Sequence, residues 1–357
     1  MQRNTVKLFG SLLVIQLVLS AAGAQEPVTT PTPLSGDEVK ELIATTYERN
    51  DYETLKAPYH LRANYQTFTP DGIVSGSGSI ERWASEKGPV KTVTRFGDHS
   101  MTEYAVRQLK LTEIAPGARL YTDDGFGGNI MLYFAMESLL YPTLPRLGII
   151  HRQVTPTLIS VAGDMLDCGS VVLEIGPAAY PARPNDRFCV SRSTGDLVLR
   201  HRANLTIRYG NFSSFADKSI PRMITGTQGS RIRFRIEVEQ LDQSTLPDAQ
   251  LTAPTDASVT SPEPNIWATK PEETTPAHVD KVRVPAGLED VHASGQVDLY
   301  VLISHSGKVT DVETLYAATP ELANYATQLA YACRYKPIVR NGKPLQEIAH
   351  SYFTFRF

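Results

Sequence analysis

The stretch from Leu241 to Thr275 limits this chain more than any other feature. It reads LDQSTLPDAQLTAPTDASVTSPEPNIWATKPEETT, with five prolines and six acids against one lysine. No apolar periodicity runs through it. Such a segment cannot bury enough surface to offset its ordering entropy, so 241–275 reads as a linker. Ile266 and Trp267 are expected to dock on a neighbouring domain. The 357 residues then divide into a larger domain over 34–240 and a small one over 276–357.

Hydrophobic residues make up 41% and charged residues 20%, enough apolar material for a core on each side of the linker. The formal net charge of −3 argues against a nucleic-acid partner recruited by overall charge. At the start, Arg3 and Lys7 precede the uncharged run Leu8–Ser20, and Ala22 and Ala24 supply an A-x-A cleavage site. Residues 1–24 therefore read as a secretory signal peptide. The run is short for a bilayer, which needs roughly 20 residues. An uncleaved inner-membrane anchor is the alternative.

Helical signals open the larger domain. Ser35 and Glu38 form an S-x-x-E capping box, Leu34 is placed to staple onto Val39, and Val39, Leu42, Ile43 and Tyr47 share one face. The spacing predicts a helix over 35–50. From Tyr59 to Tyr65 the period changes to two, the pattern of a half-buried strand. Strand-like runs recur near 79–84, 90–96, 101–107, 171–176, 187–192, 197–209 and 231–241, and Ser193-Thr194-Gly195-Asp196 reads as a hairpin turn. A second helix is expected over Asn129–Leu140, before Pro142. These elements suggest a large antiparallel sheet with a helix on one face.

Three cysteines are too few for a disulfide scaffold. Cys168 and Cys189 each lie beside an expected strand of an exported chain, so a disulfide between them is expected. Closing that loop is worth about 3 kcal/mol in the chain-entropy account. Catalytic chemistry leaves little trace. The eight histidines are scattered without metal-ligand spacing, and Ser75-Gly76-Ser77-Gly78-Ser79 lacks the Gly-Lys-Ser/Thr of a phosphate loop. That segment reads as a turn or a bulged strand. Asp123–Gly128 lacks the spaced donors of a calcium loop. The chain is expected to be non-enzymatic, with no catalytic residue, metal or cofactor.

The small domain is more telling. Val297, Leu299, Val301 and Ile303 alternate, His305–Lys308 turns the chain, and Val309, Val312 and Leu315 belong to a return strand with room for a bulge. Thr319 caps a helix with Pro320 at its first position. Leu322, Tyr325, Ala326, Leu329, Ala330 and Cys333 form one apolar stripe, which makes Cys333 a buried structural thiol. Asn341-Gly342 is a turn signal, and a closing strand runs Gln346–Phe357. The order is β-β-α-β.

This series resembles the TonB C-terminal domain. The residues that carry the likeness are Gly295-x-Val297-x-Leu299-x-Val301, Gly307-x-Val309-x-x-Val312, a helix ending in Arg334-Tyr335-Lys336-Pro337, Gly342-x-Pro344, and Phe353-x-Phe355-x-Phe357. It spans about 276–357. The resemblance implies an edge strand that adds an extended peptide, the TonB box of an outer-membrane transporter, by main-chain pairing. It assigns partner contact to Tyr335, Pro337, Ile348, His350, Tyr352 and Thr354. Alternation places Phe353 and Phe355 in the core. The chain departs from a transducer at its other end, where a folded domain replaces the long proline-rich rod.

The larger domain is similar in pattern to LolA/RseB-type periplasmic lipoprotein-carrier proteins. The likeness rests on Cys189–His201, Phe212–Phe215, Ile220-Pro221-Arg222, and Gly229 with the strand to Leu241. It implies a half-open barrel that cups a helix and holds a lipid or other hydrophobic ligand. The fold class expected is α+β: an antiparallel, β-rich, half-barrel-like domain with one or two helices, and a small ββαβ domain. Two functions follow: a periplasmic protein binding an envelope partner by edge-strand addition, or a carrier or sensor of a hydrophobic ligand.

Overall fold

The first helix starts where its cap predicts. Ser35 Oγ accepts the Glu38 N–H, and the Glu38 carboxylate accepts the Ser35 N–H at 2.8 Å, closing the box over α1 (Gly36–Asn50). The computed structural model describes residues 32–356 apart from 56, 87, 107–119, 122–129, 144–148, 150–151, 172–185, 203, 244–245, 255–257, 260–274, 286–287, 289–294 and 341–342. The signal segment, Trp267 and the Asp123–Gly128 loop lie outside the described residues.

After α1 come the antiparallel strands β1 (Tyr59–Phe68), β2 (Val74–Ala84), β3 (Pro89–Phe96), β4 (His99–Val106) and β5 (Leu120–Tyr121). Helix α2 (Ile130–Leu140) follows. The chain then forms β6 (Val154–Val161), β7 (Asp164–Val171), β8 (Asp186–Ser191), β9 (Leu197–Arg202), β10 (Leu205–Gly210), β11 (Ser213–Phe215), β12 (Lys218–Ile220), β13 (Met223–Gln228) and β14 (Arg231–Asp242). Next are α3 (Asp248–Leu251), β15 (Ser258–Val259) and β16 (His278–Val279). The C-terminal elements are β17 (Gly295–Ile303), β18 (Val309–Ala317), α4 (Pro320–Ala332), β19 (Cys333–Arg334), β20 (Ile338–Arg340), β21 (Lys343–Leu345) and β22 (Glu347–Phe355).

Thirteen strands make one sheet in the order β15-β5-β4-β3-β2-β1-β14-β13-β10-β9-β8-β7-β6. Two meanders, one on each side of α2 in the chain, meet where the long β14 pairs with β1. Along β1, Leu61, Ala63 and Tyr65 are buried while the residues between them are exposed, so one face of the sheet is core. Helices cover that face: α1 packs over β6–β9 and β12, and α2 over β1, β13 and β14. Gly169 is required under α1, because a Cβ there would stand 2.6 Å from Val39 and 2.8 Å from Ile43.

Cys168 and Cys189 sit directly opposite each other on β7 and β8 and are bridged. They are fully buried with Leu166 and Leu199 in a satellite cluster on the other face of the sheet.

Several elements differ from expectation. The run read as one strand over 197–209 is a tight hairpin, β9 and β10, with neither Gly nor Pro at its turn to break the pattern. Of the strand expected near 171–176, Val171 belongs to β7, and 172–176 lie outside the described residues. The β6–β7 hairpin turns on Ala162 and Gly163, both at positive φ (51° and 87°), a two-residue turn that Ala-Gly hardly announces. Part of the expected linker is built into the sheet domain. Leu251 of α3 is 1% exposed, and β15 pairs with β5.

The C-terminal segment makes a three-stranded sheet in the order β18-β17-β22, with α4 on one face. Thr319 Oγ1 caps α4 by accepting the Leu322 N–H, and Pro320 occupies the first turn. Leu322, Tyr325, Ala326, Ala330 and Cys333 of its stripe are buried against Val297, Leu299, Val301 and Ile303. Phe355 is buried in the same core, and Phe353 packs against it. The opposite face of this sheet is covered as well. Leu302, Leu315 and Ile348 belong to the core of the large sheet, and Pro33–Phe357 is one compact unit.

Candidate functional site

Helix α2 is the element around which the site forms. Ten of its residues, from Ile130 to Leu140, are buried, and Glu137 is its one charged side chain. A helix of this kind needs cover all round. The large sheet covers one side of α2, and β17 and β18 lie against another. Phe134 meets Tyr300 of β17 with ring centroids 5.8 Å apart.

Polar contacts fix this junction. Asp311 of β18 accepts the Ile130 N–H at 2.8 Å, so the C-terminal sheet supplies a cap for the start of α2. Arg233 of β14 makes a two-pronged bond to Glu313 of β18, at 3.1 and 3.0 Å. Asn204 donates to Glu313 and to the Thr314 carbonyl. Both members of the Arg233–Glu313 pair are nearly closed to solvent, with side chains 4% and 8% exposed. Burial raises the pKa of Asp311 and of Glu313; the backbone N–H groups of Ile130 and Val312 oppose this at Asp311, and Arg233 opposes it at Glu313.

A cavity of about 710 Å³ opens between the β1–β2 hairpin, the first turn of α2, β18 and α4. Tyr65, Phe68, Phe96, Met131 and Leu132 line it. Arg233, Asp311 and Glu313 line it too, together with Ser and Thr residues of the hairpin. Its size lies within the range of small-molecule sites. The Ser75–Ser79 segment, expected to be a turn or bulged strand, forms this wall as part of β2, with an irregular register opposite Thr67 and Phe68. Gly78 is needed there, since a Cβ would come within 1.8 Å of the Arg95 carbonyl on β3.

A second polar cluster anchors the far end of α2. Arg200 is 2% exposed and bonds Asp186 at 2.9 Å and Glu137 at 3.4 Å. It also donates to the carbonyls of Tyr141 and Pro142, just past the helix. Arg202 pairs with the same Glu137.

The residues assigned to partner contact fall on or beside β22, a strand at the sheet's edge. Ile348 is fully buried toward α2. Tyr335 is buried, with its hydroxyl 3.0 Å from Ser351 Oγ. His350 and Tyr352 are half-buried and bonded to each other at 2.8 Å. Pro337 and Thr354 are exposed. The residues that line the cavity were not anticipated. Their one sequence signal was Asp311 and Glu313, two acids at i and i+2 on a single strand face, which call for a partner across it.

Among the described residues no group of three or more His, Cys, Asp or Glu is placed to hold a metal ion. No helix of the described residues is long and apolar enough to cross a membrane.

No protein-family model matches the chain, and no curated protein matches it. Solved structures do. An outer membrane lipoprotein-sorting protein domain from Vibrio parahaemolyticus is 10% identical, covering 61% of this chain and 97% of that one, with a TM-score of 0.42. A LolA superfamily protein from Nitrosomonas europaea is 12% identical over 62% of this chain and 98% of that one, with a TM-score of 0.37. The C-terminal domain of TonB from Pseudomonas aeruginosa is 20% identical, covering 26% of this chain and 92% of that one, with a TM-score of 0.22.

Proposed function

We propose that this protein is a non-enzymatic binding protein of the periplasm that carries or senses an amphiphilic, largely hydrophobic ligand held in the junction cavity. The observation that carries this reading is the cavity itself, which brings aromatic and aliphatic side chains together with charged ones at the entry to a buried, largely apolar helix. Pockets that combine apolar lining with a few convergent polar groups are the usual form of a ligand site. Native mass spectrometry of freshly purified protein tests it. An adduct of lipid-like mass is expected, and Ser75→Phe, which crowds the cavity, should remove it. Protein that stays free of adducts after exposure to envelope lipid extract sinks the reading.

A second reading rests on a separate observation, the edge position of β22 in the order β18-β17-β22. An edge strand offers a main-chain ladder to an extended peptide, here one resembling a TonB box. With the side chains of Ile348 and Tyr335 buried, such a peptide would be held mainly through the backbone. Hydrogen exchange of residues 347–355 checks this. Added peptide should slow it, and unchanged exchange at saturating peptide refutes strand addition.

A further inference from the structure

We infer that the junction cavity selects an amphiphile with a cationic, N–H-donating head, seated on Asp311, whose tail lies along Tyr65, Phe68, Phe96, Met131 and Leu132. This rests on the carrier reading above and adds the chemistry of the head.

The charges that line the cavity leave one carboxylate without a cation beside it. Among the described residues, three side chains that can carry a full charge line the cavity: Arg233, Asp311 and Glu313. Arg233 is committed. Its Nη atoms hold both Glu313 oxygens, its Nε donates to the Phe68 carbonyl at 3.2 Å, and Nη1 also reaches Gln228. Arg233 and Glu313 therefore cancel. Asp311 makes no ion pair among the described residues. Its oxygens accept two backbone N–H groups, from Ile130 at 2.8 Å and from Val312 at 3.0 Å. An ionised carboxylate has about four acceptor positions, so roughly two remain. The start of α2 contributes about half a positive charge, which leaves part of the Asp311 charge uncompensated. An ammonium on the cavity side supplies what is missing.

The same balance disfavours the opposite head. A carboxylate or phosphate placed here would meet Asp311 with no uncommitted cation lining the cavity among the described residues. A neutral head gains hydrogen bonds from the hydroxyls but no charge pairing. The ranking expected is ammonium, then neutral, then anion.

Calorimetric titration of the full chain with dodecylammonium, dodecyl glycoside and dodecanoate, each below its micelle concentration, tests the ranking at neutral pH. Dodecylammonium should bind at least about tenfold more tightly than dodecanoate. Asp311→Asn should erase that advantage. Because this substitution also weakens the cap of α2, Ser75→Phe serves as a second variant; it should abolish binding of all three while the unfolding midpoint is unchanged. Equal affinity for the three heads, or an advantage that survives Asp311→Asn in folded protein, overturns the head assignment and leaves the carrier reading standing. If none of the three binds the wild-type protein, the carrier reading fails with it.

Discussion

Asp196 ends the Ser193–Asp196 turn, and its side chain is 5% exposed. Arg49 donates to it at 2.7 Å and Asn50 at 3.1 Å, which fastens the last turn of α1 to the β8–β9 hairpin. Burial works against the charge. Hydrogen bonds from Arg49, Asn50, Ser219 and Thr194 more than offset it, and the pKa of Asp196 lies below the ordinary value. A depressed carboxylate pKa stabilises the fold fully above the unfolded value, near 3.9, and that contribution is lost as pH falls through the folded value. Asp196→Ala should therefore cost about 1.5–3 kcal/mol in urea unfolding at pH 7, the worth of hydrogen bonds to a charged group. The gap between variant and wild type should narrow as the pH falls below about 4. A gap that is constant with pH would mean that Asp196 acts through packing alone. The turn itself was legible in Ser-Thr-Gly-Asp, because Gly195 takes the positive φ (74°) that the turn requires. The partner of Asp196 was not, since Arg49 stands 147 residues away and nothing local marks the pair.

Elements whose signal is local were readable, and those defined by a distant partner were not. The caps of α1 and α4, the apolar stripe of α4 and the alternation of β1 each follow from neighbouring residues. Helix α2 was legible as a helix, but its second neighbour was not. That neighbour is the outer face of β17, where Asp298 and Leu302 are buried and Tyr300 half-buried between the expected core positions. A strand covered on both faces reads as a continuous apolar run. In β17 the run is interrupted by Asp298 and Tyr300, so it looked half-exposed. The cavity was hidden for a related reason. Its walls come from stretches far apart in the chain, and nothing local in any of them marks the others as neighbours.

At the scale of the molecule, the two sheets are joined by a buried charge pair. Arg233 on β14 and Glu313 on β18 lie 80 residues apart and meet at 3.0 Å. Removing one partner of such a pair leaves an uncompensated buried charge and costs about 3–5 kcal/mol, whereas replacing both by apolar residues of similar size is often close to neutral. Glu313→Leu is therefore expected to be strongly destabilising, and Arg233→Met with Glu313→Leu substantially less so, when unfolding is followed by calorimetry. Additive effects of the two single substitutions would show that the pair does not couple the sheets. The same packing accounts for what composition could not convey. A proline-rich boundary read as a spacer between independent bodies, yet the surfaces on either side of it share one core through Leu302, Leu315 and Ile348.

The cap that Asp311 places on α2 also sets a timetable. The two residues are separated by 181 positions. A chain emerging from its N-terminal end presents α2, greasy over most of its surface, long before β18 arrives to cover it. Through that interval the larger sheet can form but its helix stays partly bare, and closure waits on β18. Maturation is then gated by that late strand, and truncation near residue 300 would leave behind a larger sheet with an unsealed seam.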